Sequence, residues 1–183
     1  YAEQDQAIDE LTEIIPISPY GRTKYFIEEI INDWTKTDIQ KSAVILRYFN
    51  PVGAHKSGLI GESPTSEPNN LVPIILQVGS GQRPKLNIFG NDYETEDGTA
   101  IRDYIHILDL SKGHVAALEH ASRHSGREIF NLGTGVGSSV LDVLRTFERS
   151  VGKKIAFEMT SRRSGDVCRS VANPEKARRV LGW

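Results

Sequence analysis

The chain has 183 residues, of which 38% are hydrophobic and 25% charged, and its net charge is −2. That composition fits a globular domain with its own core and excludes a disordered or fibrous chain. The small negative balance argues against a dedicated nucleic-acid binder, and no apolar run approaches the roughly 20 residues of a membrane helix.

The single cysteine, Cys168, has no partner for an internal disulfide and fits a reducing cytoplasm. The chain opens on Tyr1 without an initiating Met and stops at Leu181-Gly182-Trp183, so an internal piece of a longer protein is expected.

Residues 1–16 are polar and read as loop. Ser18-Pro19 predicts a helix start, with Ser18 as N-cap and proline at the first helical position. Ile27, Ile30, Ile31 and Trp34 follow at helical spacing. Ala43 to Phe49 is an almost continuous apolar run, as expected of a parallel strand buried on both faces, and Asn50-Pro51 should end it. Residues 55–69 read as an irregular excursion. Asn70 to Val78 predicts a short helix closed by Gly79-Ser80-Gly81, and Leu86 to Phe89 a short strand. Gly90 to Gly98 is an acidic loop; Ile105 to Leu108 is apolar, and a helix should run from Asp109 to about Arg123. Glu128 to Leu132 predicts a strand. Ser138 or Ser139 should cap a helix with Val140, Leu144, Phe147 and Val151 on one face. Lys154 to Met159 predicts another strand, and Asn173-Pro174 starts a last helix that Gly182 ends. Helix followed by buried strand is the tail of a βαβ unit, so the expected class is a doubly wound α/β fold.

The sharpest chemical feature is Tyr20 with Lys24. Residues four apart share a helix face, and an ammonium one turn away favours the phenolate form of a tyrosine. Such a pair can act as a base on a sugar or alcohol hydroxyl. Taken alone, the spacing equally describes a surface Tyr and Lys in the first turns of a helix.

The surroundings are more specific. Ser18-Pro19-Tyr20-Gly21-Arg22-Thr23-Lys24 precedes Leu46-Arg47-Tyr48-Phe49-Asn50-Pro51-Val52-Gly53-Ala54-His55. Then come Pro68 to Pro73, Leu86 to Tyr93, Thr95 to His106, Asn131 to Gly135 and Arg162 to Asp166. In this order the stretches resemble the NAD-dependent epimerase/dehydratase branch of the extended short-chain dehydrogenase/reductase family, over essentially the whole chain. The resemblance implies an NAD-binding Rossmann fold with a parallel sheet, of which this chain holds the C-terminal part, plus a smaller α/β substrate-binding domain. Residues 1–54 would close the Rossmann domain. Residues 55–183 would form mainly the UDP-sugar domain, with about 103–133 returning to the Rossmann side. The Gly-rich pyrophosphate loop, the acidic ribose ligand and a catalytic Ser or Thr would precede Tyr1.

The implied activity is the interconversion of UDP-glucose and UDP-galactose by hydride removal and return at C4, through a 4-keto sugar, in a cytoplasmic homodimer of galactose metabolism. Tyr20 would be the base, and Lys24 would favour its phenolate and hold the cofactor ribose. Tyr48 and Phe49 would border the nicotinamide. Asn50 would meet the diphosphate, and Asn70 and Leu71 would offer backbone donors at a helix start. Asn87, Ile88 and Phe89 would line the uridine. Arg102 and Arg163 suit the diphosphate, with Tyr104 beside them, and Asp166 would accept from the ribose hydroxyls. Ser170 falls where the family limits room for a 2-acetamido group. Being small, it implies acceptance of UDP-N-acetylhexosamines as well.

By default each of these residues has a plainer role: Asn50 in a turn, Asn70 as a cap, Phe89 in packing, the arginines as solvated charges. Their joint order favours the site. Another nucleotide-sugar epimerase or a dehydratase of the family, and a catalytically incomplete NAD- or UDP-sugar-binding protein, stay open as alternatives. The five histidines show no metal-ligand spacing, and Gly133 to Gly137 reads as a turn rather than a dinucleotide loop.

Overall fold

The computed structural model describes residues 1–183. Helix α1 (Pro19–Lys36) starts as the sequence predicts: Ser18 Oγ accepts from the Gly21 amide at 3.1 Å, and Pro19 needs no amide partner. Its inward seam is Gly21, Tyr25, Glu28, Ile31, Asn32 and Thr35, each partly or fully buried. Of the apolar positions at helical spacing only Ile31 is partly buried; Ile27, Ile30 and Trp34, with Phe26 beside them, are exposed. Helical periodicity identified an apolar face correctly, but most of that face does not pack on this chain's own sheet.

Strand β1 (Ser42–Tyr48) pairs in parallel with β5 (Gly126–Leu132), Ser42 opposite Gly126 and Tyr48 opposite Leu132. These two strands form a sheet by themselves, and β1 is half-buried along most of its length rather than covered on both faces. The chain then continues into a strand where proline was expected to stop it. Strand β2 (Asn50–Val52) pairs in parallel with β4 (Ile101–His106), Pro51 opposite Ile105. Proline is tolerated because β2 has only one neighbour, so its missing N–H can face the unpaired edge. The sequence marked only an apolar run at Ile105; β4 starts earlier, and helix α3 (Ile107–Ala121) follows it at once, capped by His106. Near its start β4 also pairs with β6 (Gly137–Ser139), antiparallel, and with β8 (Arg169–Ser170), parallel.

A second lobe contains α2 (Leu71–Gly79) and the parallel pair β3 (Leu86–Phe89) with β7 (Phe157–Thr160). Helix α4 (Val140–Val151) covers it and begins with a capping box between Ser139 and Asp142; β6 intervenes where only a turn was expected. The last helix is α5 (Glu175–Leu181).

Two hydrophobic cores result. One joins Ile75, Val78, Leu86, Ile88, Leu141, Leu144 and Ile155, from α2, β3, α4 and the approach to β7. The other joins Ile105, Leu110, Phe130, Leu132 and Ala177, with Val44, Leu46 and Trp183 packed against it. The chain end therefore packs on the β1–β5 side. Residues 1–16 are also tied down: Ile8 is buried and bridges Ala172, its amide donating to Val171 O at 2.8 Å.

Candidate active site

Two cavities open at the ends of β1, β2, β3 and β4. The broader one, about 630 Å³, is lined by Tyr20, Lys24, Tyr48, Phe49 and Ser170, together with Tyr1, Glu28 and Arg47. The narrower one, about 170 Å³, is lined by Asn87, Ile88, Phe89, Arg102, Tyr104, Arg163 and Asp166, with Leu71 at the start of α2. Asn50, Pro51 and Asn70 line both. Every residue singled out from the sequence thus borders one of the two spaces, and the spaces share a wall.

In the broader cavity, α1 places Lys24 one turn after Tyr20, with its ammonium 5.1 Å from the Tyr20 ring centroid. Tyr20 is 71% exposed, so its hydroxyl is free to meet a ligand. Tyr48 ends β1 with its ring 6.0 Å from that of His114, and the Phe49 amide donates to Leu132 O at 3.0 Å, which fixes the strand end. Ser170 lies on β8 opposite Arg102.

In the narrower cavity, charges and rings are already arranged. The Arg163 guanidinium stands 4.7 Å above the Phe89 ring, and its Nε donates to Asp166 Oδ2 at 2.9 Å. Arg102 Nη2 reaches Asp166 Oδ1 at 3.7 Å, with the Arg102 side chain only 16% exposed. Asp166 therefore holds two arginines side by side, a role the sequence did not assign to it. Two adjacent guanidiniums match an anion with several oxygens. Burial pushes the Tyr104 hydroxyl above its ordinary value, and the charge of Arg102 opposes the shift, so this phenol stays protonated as a donor. Asn70 is the N-cap of α2 but makes no cap bond; its side chain donates to Glu62 at 2.9 Å. Asn87 is exposed on β3, whereas Ile88 is buried beneath it.

Glu28, Arg47 and Tyr1 received no role from the sequence, although Arg47 stands in one of the quoted stretches. The only cue in the sequence was Arg47 as the single charge in an apolar strand and Glu28 one turn beyond Lys24. Arg47 donates to both oxygens of Glu28 and, through Nη1, to the Tyr1 hydroxyl at 2.8 Å. Burial alone would lower the Arg47 pKa, but the bonds to Glu28 and Tyr1 outweigh it and hold the guanidinium fully charged. The Gly133 to Gly137 stretch is accounted for by structure: its amides turn onto the buried Asp103 carboxylate.

A Tyr-x-x-x-Lys helix on a parallel sheet, opening onto a cleft with paired arginines, defines a Rossmann-like α/β protein with an anion-suited cleft. The chain belongs to the NAD dependent epimerase/dehydratase family, whose model matches residues 1–133. It is similar to the UDP-glucose 4-epimerase of Homo sapiens, 54% identical over 166 residues that make up 91% of this chain and 48% of that protein. It is also similar to the Bacillus subtilis UDP-glucose 4-epimerase, 48% identical over 94% of this chain and 52% of the relative. Among solved structures, the Bifidobacterium longum UDP-glucose 4-epimerase in complex with NAD+ and UDP superposes with a TM-score of 0.95 at 43% identity, over 99% of this chain and 54% of that one. The chain spans about half the length of the curated relatives it matches.

Proposed function

We propose that this chain is the substrate half of an NAD-dependent UDP-glucose 4-epimerase and that it acts together with a nucleotide-binding half like that of its relatives. The observation that carries the reading is the shared wall at Asn50, Pro51 and Asn70, which joins an anion-suited cleft to the cavity of Tyr20 and Lys24. A diphosphate held between Arg102 and Arg163 would direct its sugar across that wall toward Tyr20, with the uridine beside Phe89 and Asn87. The human and Bacillus subtilis relatives and the Bifidobacterium longum neighbour are UDP-glucose 4-epimerases, which supports the same substrate class.

The residues present fit a cofactor beside Tyr20. Tyr20 and Lys24 are both free on the wall of a roomy cavity, next to the ring of Tyr48. When bound, NAD supplies hydride acceptance and return at C4. The chain's own residues do the rest. Tyr20 takes the proton from the sugar 4-hydroxyl and gives it back, Lys24 sets its ammonium beside the Tyr20 ring and would hold the cofactor ribose, and Arg102 and Arg163 anchor the diphosphate while the sugar turns. Ser170 leaves room for a 2-acetamido group, so UDP-N-acetylhexosamines belong to the substrate range in this reading.

Residues 1–54 and about 103–133 would belong to the cofactor side and most of 55–183 to the sugar side. A cytoplasmic homodimer completes the proposal; the free thiol of Cys168 suits a reducing compartment. The test is turnover of UDP-galactose by the full-length protein and by Tyr20→Phe. Loss of about 10²-fold or more in kcat is expected for the removal of a general base. Full activity in Tyr20→Phe would remove the assigned role. Absence of UDP-N-acetylglucosamine turnover in a protein active on UDP-glucose would remove the role of Ser170.

A further inference from the structure

The helix that carries Tyr20 and Lys24 meets its sheet through a mixed seam in which Glu28, Asn32 and Thr35 alternate with Gly21, Tyr25 and Ile31, while Phe26, Ile30 and Trp34 face away. Apolar burial is non-directional, and here there is little of it to choose one rotation of the helix. Directional contacts must do that. Glu28 accepts from Arg47 Nε at 2.8 Å and Nη2 at 2.5 Å, a fork-to-fork pair. Both side chains are 13% exposed, so solvent screens the pair weakly. The Tyr1 hydroxyl, which accepts from Arg47, donates in turn to Asn131 Oδ1 on β5. Asn131 is fully buried, and its Nδ2 donates to Ile8 O at 2.8 Å. A single chain of hydrogen bonds thus fastens α1 to β1, to the N-terminal segment and to β5.

Glu28 also lies two turns beyond Tyr20 and one beyond Lys24, so the three rise along one side of the helix. All three line the same cavity with Arg47. A slip of α1 by one residue would turn it by roughly 100° and shift it by about 1.5 Å, which would take Tyr20 off the cavity wall.

We propose that Glu28 and Arg47 are positioning residues that set the rotation and axial register of the Tyr20–Lys24 helix against the end of β1. They act through α1 and do not touch the sugar. The inference rests on the reading of Tyr20 as the base. Removing either partner leaves the other's charge unpaired and lets the helix turn; the UDP cleft, built on β3, β4 and the Arg163 loop, keeps its shape.

The test uses the full-length NAD-loaded protein carrying Glu28→Gln, Arg47→Lys or the exchanged pair E28R/R47E. Glu28→Gln is expected to lose about 10²-fold in kcat, the cost of roughly 1 Å of misplacement, with KM for UDP-galactose little changed. Arg47→Lys keeps the charge but not the fork and should fall between parent and Glu28→Gln. The exchanged pair should recover part of the loss. An unchanged kcat, or a KM that rises as kcat falls, overturns the proposal. Placement is also read without turnover, from the fluorine resonance of fluorotyrosine incorporated at position 20. A shift in Glu28→Gln is expected, and an identical line in parent and variants overturns the proposal. A parent that does not turn over UDP-galactose defeats the epimerase reading alone, because the fluorine line still decides the positioning. If Glu28→Gln does not fold, Arg47→Lys carries both measurements.

Discussion

Gly133 sits against Asp103 so closely that a Cβ on Gly133 would stand 2.5 Å from Asp103 Oδ2, and equally close to the Ala172 Cβ. Neither neighbour can retreat, because Asp103 is fully buried on β4 and Ala172 is fully buried beside it. Gly133→Ala is expected to destabilise the protein by about 1–3 kcal/mol, the usual cost of overpacking. Urea unfolding of the two proteins measures it, and equal midpoints would show that this region yields.

Asp103 itself is a hub. Its Oδ1 accepts from the Thr134 amide at 2.8 Å and the Thr134 hydroxyl at 2.7 Å, and its Oδ2 from the amides of Gly135 at 2.9 Å and Ala172 at 3.2 Å. An amide in place of the carboxylate would point an N–H at an N–H. Asp103→Asn should therefore cost about 2–3 kcal/mol in unfolding free energy. Because Arg102 and Tyr104 flank it on β4, UDP affinity should weaken in the same variant, which calorimetric titration would show.

Acid should act through Asp97. Burial raises its pKa, but bonds from the Ser139 hydroxyl at 2.5 Å and from the Thr99 hydroxyl and amide outweigh burial and hold it below the ordinary carboxylate range. The native state then binds fewer protons than the unfolded one. Its contribution is complete above the unfolded value, near 4, and is lost as pH falls through the lower folded value. Asp97→Asn should be less stable than the parent at neutral pH, and the gap between them should narrow in acid. Parallel stability curves down to that range would contradict this.

Arg102 should matter for the nucleotide. Its side chain is largely buried and beside Asp166, so its loss cannot be made good by a solvated neighbour. Arg102→Ala should weaken UDP binding by about 1.5–3 kcal/mol, the usual worth of a hydrogen bond to a charged group. The variant should also bind with a shallower salt dependence. An unchanged dissociation constant would place the diphosphate elsewhere.

Much of this site was legible in the sequence because its residues occur in compact runs. Tyr20 with Lys24, Tyr48 with Asn50 and Asn87 with Phe89 are each set on one face or one strand end by local geometry alone. Helix starts at Ser18 and Ser139 were legible for the same reason, since a cap is a local bond. What the sequence hid depends on distant partners. Strand β4 carries Arg102, Asp103 and Tyr104, and its polar residues obscure the strand pattern until the loop amides that satisfy Asp103 are known. The pairing of Glu28 with Arg47 joins two elements whose register no motif states. The stripe of Ile27, Ile30, Ile31 and Trp34, of which only Ile31 is partly buried, shows the limit from the other side, because periodicity reports that a face is apolar and not which body it meets.

The thin partition formed by Asn50, Pro51 and Asn70 has a consequence for how such a protein can change. In the proposed reading, recognition of the nucleotide and reaction at the sugar fall to two cavities joined along that edge, with Ser170 also paired to Arg102 across β8 and β4. On that reading, substitutions around Tyr48, at the end of β1, would reshape the reacting end while the arginine cleft keeps its grip. One handle can therefore serve many cargoes, and new sugar chemistry can evolve without renegotiating the nucleotide that delivers it.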